Sequence, residues 1–255
     1  MPAPYRRAKG HAWMWLLLVF GAIGFSMFLG FQFPKNVEWW VAVPVFGGPI
    51  LIAIIACAII QARIDKNRRQ RMLDLLQSMG LEASMADNKE VGAAFFAQLA
   101  HLEASALLRD GATNLRWFAR GPIGAQYMVV FEHEYVTGSG KTTQVHTSTC
   151  VGFPSDKWGV TFIRPRLGEG RHYRKTEAAF ELGDAEFDKE WVIWGERSHA
   201  DAMFTPELLA ALANSPRGEW WCIGGGWECC LTRNALDAEN LGKFVAHVNA
   251  IARLI

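Results

Sequence analysis

Hydrophobic and polar positions follow two regimes along the chain. Trp13–Phe33 and Trp39–Ala62 contain no charged residue, and only Pro34, Lys35, Asn36, Val37 and Glu38 separate them. A helix rises about 1.5 Å per residue, so each run is long enough to cross a hydrocarbon core of about 30 Å. The short connection makes the two runs antiparallel. The pattern therefore predicts a transmembrane helical hairpin with spans at about 13–33 and 39–62. Trp13 and Trp15 open the first span, and Trp39 and Trp40 open the second, where amphipathic rings favour the headgroup region. Pro44 and Pro49, around Gly47 and Gly48, predict a kink, while Gly21, Gly24 and Gly30 offer small packing positions. Neither span holds an ionisable side chain, which argues against a proton or ion pathway. A cleaved secretory leader is the competing reading of the first run. The run is too long for one, no small-residue cleavage site follows, and a second span and a basic stop come next.

After Ala62 the pattern becomes amphipathic. Ile64, Met72, Leu73, Leu75, Leu76 and Met79 predict a helix over 63–79 that ends at Gly80, and Phe95, Phe96, Leu99, Leu102, Ala106 and Leu107 predict another over 91–109. From Leu115 the period shortens towards two. Strands are predicted over 115–119, 126–137, 142–153, 159–164, 178–182 and 190–194. Thr205-Pro206-Glu207 carries an N-cap, a first-turn proline and an acid at the positive end of the dipole, so a helix starts there and stops before Pro216. Residues 219–223 and 227–232 form a hairpin across Gly224, Gly225 and Gly226. A final amphipathic helix starts near Asp237, with Leu241, Phe244, Val245, Val248, Ile251 and Ile255 on one face. The predicted organisation is a basic N-terminus (1–12), the hairpin (13–62), juxtamembrane helices (63–112) and an α+β domain (113–255). That domain is a mainly antiparallel β domain with packed helices and a C-terminal amphipathic helix.

Charge changes this picture by giving it an orientation. The formal net charge is only +1 over 255 residues, but its placement is uneven. Arg6, Arg7 and Lys9 precede the first span, and Arg63, Lys66, Arg68, Arg69 and Arg71 follow the second. Positive charge stays on the cytoplasmic side, which places both termini in the cytoplasm. The same five cations are candidates for binding lipid headgroups or a partner. A second basic stretch, Arg164, Arg166, Arg171, His172, Arg174 and Lys175, is a further candidate for lipid or partner binding. Its aromatic content is too thin for base stacking, so no nucleic acid is expected.

The chain has five cysteines, an odd number: Cys57 within the second span, then Cys150, Cys222, Cys229 and Cys230 on the cytoplasmic side, where thiols are expected to be free. Cys150 and the cluster Cys222/Cys229/Cys230 are candidate nucleophiles; against that, thiols among Trp220, Trp221 and Trp227 commonly serve as small core hydrophobes. Zinc would need a second paired spacing, and there is none, so no metal is expected. If Gly225 and Gly226 turn the last hairpin, Cys222 faces Cys229. If Ser139 and Gly140 turn the earlier one, His133 lies opposite His146, a candidate catalytic pair. Thr137-Gly138-Ser139-Gly140-Lys141-Thr142-Thr143 is not a P-loop: position 135 is Tyr, and alternating residues follow Lys141 where a helix is needed. No cofactor motif is present.

The run Val129 to Thr147 (V-V-F-E-H-E-Y-V-T-G-S-G-K-T-T-Q-V-H-T), with Phe187 to Gly195 and Phe204 to Leu209, resembles an uncharacterised bacterial family of membrane-anchored proteins. In that family one or two N-terminal spans precede a cytoplasmic domain, so the resemblance implies a bacterial inner membrane. The resemblance covers about residues 70–255 and implies that the Thr-Gly-Ser-Gly-Lys run is a hairpin. It brings no activity and no catalytic residue.

The expected function is a membrane-anchored scaffold or interaction module that presents its α+β domain to a protein partner, with a homo-oligomer as a further option. The alternatives are a thiol- or His-dependent, hydrolase-like enzyme and a domain recognising anionic lipid.

Overall fold

The computed structural model describes residues 12–32, 39–85, 112–124, 126–137, 143–155, 157, 161–165, 179–216, 219–224, 226–232 and 235–255. They divide into two units, Lys9–Gln70 and Arg71–Ile255. The predicted helix over 91–109, residues 138–141 between two predicted strands, and Thr142 at the start of the second of these lie outside the described residues.

Both uncharged runs are helical. Helix α1 is Ala12–Gln32 and helix α2 is Trp39–Ser78, continuous through Pro44 and Pro49. Among the described residues one stretch, Gly47–Ser78, is long and apolar enough to cross a membrane by length and composition, and the apolar stretch Leu17–Phe28 is shorter. Leu51, Ile52, Ile54, Ile55 and Ile59 are exposed on α2, with Ile52 at 68%. Such a run of bare aliphatic side chains is uncommon on a monomer that faces only water.

The last turns of α2 belong to the second unit, where Met72, Leu73 and Leu76 are buried. Gly80 ends the helix as predicted. It has φ +86°, its N–H donates to the Gln77 carbonyl (2.9 Å), and the Leu81 N–H donates to the Leu76 carbonyl (3.1 Å). This paired closure needs a left-handed residue, which glycine supplies without a Cβ penalty.

The second unit is an α+β fold on one antiparallel sheet. Its strands are β1 (Glu82–Met85), β2 (Ala112–Ile123), β3 (Gln126–Thr137), β4 (Gln144–Pro154), β5 (Thr161–Pro165), β6 (Ala179–Phe180), β7 (Trp191–Gly195), β8 (Glu219–Gly224) and β9 (Trp227–Thr232). The order across the sheet is β1-β2-β3-β4-β9-β8-β5-β7-β6. Among the described residues four helices accompany it: α3 (Ala185–Glu190), α4 (Arg197–Met203), α5 (Pro206–Ala213) and α6 (Ala238–Ala252).

One row of side chains shows how the sheet is held. Ala119, Val130, Val151, Cys230, Trp221, Ile163 and Ile193 pair successively across β2, β3, β4, β9, β8, β5 and β7. All are buried and share a core with Leu208 and Leu212 of α5, Leu241, Phe244, Val245, Val248 and Ile251 of α6, and the α2 residues Met72 and Leu76. Each buried aliphatic side chain there contributes roughly 1.5–3 kcal/mol. The opposite face is also buried, through Val129, Phe131, Cys150, Cys229, Leu231, Cys222 and Val192. Both faces of the central strands are therefore apolar, which is why Glu219–Gly224 and Trp227–Thr232 show so little alternation.

Helices α3 and α4 have no counterpart in the hydrophobic pattern, and the strand expected from Glu190 starts at Trp191. For α3 the cause is local. The Asp184 carboxylate accepts from the Glu186 and Phe187 N–H groups, while the Asp188 carboxylate accepts from those of Leu182 and Gly183. Two capping carboxylates thus nucleate a short helix that periodicity alone misses.

Candidate functional site

The predicted thiols come together. Cys222 faces Cys229 across the β8–β9 hairpin, as the two-residue turn implied, and Gly152 of β4 lies on the far side of Cys229. A Cβ at position 152 would stand 2.8 Å from Cys229 Sγ. Glycine there makes room for the sulfur. Cys150, two residues back on the same face, hydrogen-bonds Cys229. Cys230 points to the other face, in the central core row. All four are free thiols and buried. The hydrogen bond to Cys229, then burial, raises the Cys150 thiol well above the ordinary range. Burial and the nearby Glu219 do the same for Cys230. A thiol held protonated and away from solvent is a poor nucleophile and a good core side chain.

The histidine pair needs a correction. His133 lies opposite Ser148, and His146 lies opposite Tyr135. Thr137 pairs with Gln144, the last described pair, so the register is displaced by two positions from the one that a Ser139–Gly140 turn would set. The shift is even, so His133 and His146 keep the same face without being opposite each other. His133 is 1% exposed and its ring lies 5.8 Å from that of Phe131. Burial lowers its pKa to about 4, leaving the imidazole neutral at neutral pH.

A third cluster, which no sequence motif marks, joins three elements. Ser215, after α5, brings its hydroxyl to 3.0 Å from His247 Nε2 on α6, and Glu219 Oε2 at the start of β8 lies 3.1 Å from the same nitrogen. The Glu219 side chain has no exposure, whereas His247 has 24%. A hydrolytic relay needs nucleophile and acid on opposite ring nitrogens. Here both meet Nε2, so the ring cannot carry a proton from one to the other. With Nε2–H donated to Glu219, the Ser215 hydroxyl donates to the Ala211 carbonyl (3.3 Å). The arrangement is a clamp between helix and sheet. A sequence signal for it did exist: by strand alternation Glu219 falls on the inward side with Trp221 and Ile223.

The basic candidates divide. Arg164 sits in β5 opposite Val192; Arg166, Arg171, Arg174 and Lys175 lie outside the described residues. Arg63, Lys66, Arg68 and Arg69 lie on α2 directly after the uncharged stretch, and Arg71 begins the second unit. Arg63 and Lys66 are exposed. Arg69 Nε donates to the Asp65 carbonyl (3.4 Å), and Gln61 Nε2 donates to Asp65 Oδ1 (3.3 Å). These cations supply charge at an accessible place, which the buried thiols and His133 do not.

No family model matches the chain. No curated protein matches it. Among solved structures the chain is similar to the crystal structure of the mycobacterial trehalose monomycolate transport factor A, TtfA, at 11% identity and a TM-score of 0.50. The match covers 73% of this chain and 94% of that one. At this identity the likeness concerns the fold.

Proposed function

We propose that this chain is a membrane-anchored interaction module whose α+β domain engages a protein partner at the cytoplasmic face of a bacterial inner membrane. The observation that carries the reading is the exposed aliphatic surface of α2, Leu51 to Ile59, followed on the same helix by a cationic segment. On this reading α1 and α2 are the two spans, and both termini face the cytoplasm. The chain then joins the membrane-anchored bacterial family that its hairpin and α5 motifs resemble. The similar structure is that of a transport factor. This supports a narrower form of the proposal, in which the partner belongs to a membrane transport assembly. The buried state of Cys150, Cys222, Cys229, Cys230 and His133 favours a binding role for the domain over thiol or histidine chemistry.

Affinity purification in mild detergent tests the proposal, comparing the full chain with a version ending at residue 80. The module reading expects a stoichiometric protein partner held by the full chain and lost from the truncation. A partner retained by the truncation would move recognition to the N-terminal helices. The absence of a partner from both would contradict the reading.

A further inference from the structure

We infer that Arg63, Lys66, Arg68 and Arg69 form a cationic collar that binds the phosphate layer of anionic phospholipids around α2. The inference rests on the membrane-anchored reading and adds the ligand class. Helix geometry carries it. At about 100° per residue, with Arg63 at 0°, Lys66 falls near 300°, Arg68 near 140° and Arg69 near 240°. The four cations thus stand on every side of the helix, with no gap wider than about 140°. A protein groove reads a stripe on one face of a helix; charge around the whole circumference suits a medium that surrounds it. Position along the axis agrees. Trp39–Ala62 is free of charge and spans about 36 Å as a helix, somewhat more than a hydrocarbon core. Arg63 to Arg69 then rises about 9 Å, comparable with one headgroup layer.

The local balance is positive. Residues 61–70 hold Arg63, Lys66, Arg68 and Arg69 against Asp65 alone, a net of four minus one, or +3. Asp65 is occupied from within the helix, receiving Gln61 on its carboxylate and Arg69 on its carbonyl. Arg63 and Lys66 project into the surroundings and form no ion pair among the described residues. Each cation beside an anionic surface is worth about fivefold in partitioning. A free phosphate ion lacks the adjacent apolar phase that fixes the depth of the collar, so the lipid headgroup is the ligand.

The test uses the full chain in mild detergent with equal amounts of phosphatidylglycerol and phosphatidylcholine, read by native mass spectrometry. The collar predicts at least about a fivefold excess of phosphatidylglycerol adducts. That excess falls to parity in the variant R63Q/K66Q/R68Q/R69Q. It persists in R63K/R68K/R69K, which keeps the charge, and in the wild type when inorganic phosphate is added at low millimolar concentration. Parity in the wild type, an excess that survives the glutamine changes, or its loss in the lysine variant would overturn the collar, as would displacement by inorganic phosphate. Flotation of the same proteins with phosphatidylcholine vesicles separates the two levels. Wild type that floats without lipid preference refutes the collar alone. Wild type that fails to float refutes the anchoring reading and the collar with it.

Discussion

Two residues of the sheet show how single positions set local energetics. His133 is buried with its pKa lowered to about 4, below the ordinary 6.5. The unfolded chain therefore takes up this proton first. Stability from the neutral ring is complete above about pH 6.5 and is lost as the pH falls towards 4, by on the order of 3 kcal/mol. Thermal unfolding of the full chain in detergent should show this loss, and His133→Leu should lack that part of it; parallel pH profiles would contradict this role for the ring. Gly152 is constrained by its neighbours. Alanine there meets Cys229 Sγ at 2.8 Å and Val129 Cγ2 at 3.4 Å. Gly152→Ala should cost about 2 kcal/mol, and less than half of that in a Cys229→Ala background, where the sulfur is gone. Equal costs in both backgrounds would mean that the strain lies elsewhere. At this scale the sequence was legible where a turn has one short solution. Two glycines bracketed by apolar runs set the Cys222–Cys229 pairing, whereas the polar residues after Thr137 offer more than one place to centre a turn, and a shift of that centre by one residue moves the partner of His133 by two positions.

Whole elements were legible in proportion to their length and periodicity. Strands β3, β8 and β9 and helices α5 and α6 lie where the pattern put them, with Thr205 and Asp237 as caps. The short helices α3 and α4 escaped because six or seven residues are too few to establish a hydrophobic period, and the carboxylate caps of α3 do not show in one. The clamp at Ser215, His247 and Glu219 escaped for a different reason. It joins residues up to 32 positions apart, and only the inward-facing acid on β8 advertised it. Removing the imidazole leaves the Glu219 carboxylate buried without its donor. His247→Ala should therefore destabilise the fold by about 2 kcal/mol, with a smaller loss for Glu219→Gln, which removes the charge that needs the donor. Urea unfolding followed by tryptophan fluorescence measures both, and a harmless His247→Ala would show that the clamp contributes little.

For the molecule as a whole, the two regimes of the sequence reappear as two units, the first with bare aliphatic helix surface and the second with a continuous core. The chemistry nearest to catalysis is buried on the two faces of that unit's sheet, Cys230 on one and Cys150, Cys222, Cys229 and His133 on the other, while accessible cationic charge follows directly after the uncharged part of α2. The architecture of the sheet, with both faces buried, was less legible than its strands. Strand order depends on pairings between β4 and β9 and between β5 and β8, residues far apart in the chain with no local signature. If the first unit holds the protein in a bilayer and the second is a domain in its own right, the two should part company when the chain is shortened. Alkaline carbonate extraction of membranes reads this out, comparing the full chain with one that begins at Arg71. The full chain should stay in the membrane pellet while the shorter chain appears folded in the soluble fraction. Release of the full chain by carbonate would contradict the anchoring role of the first unit.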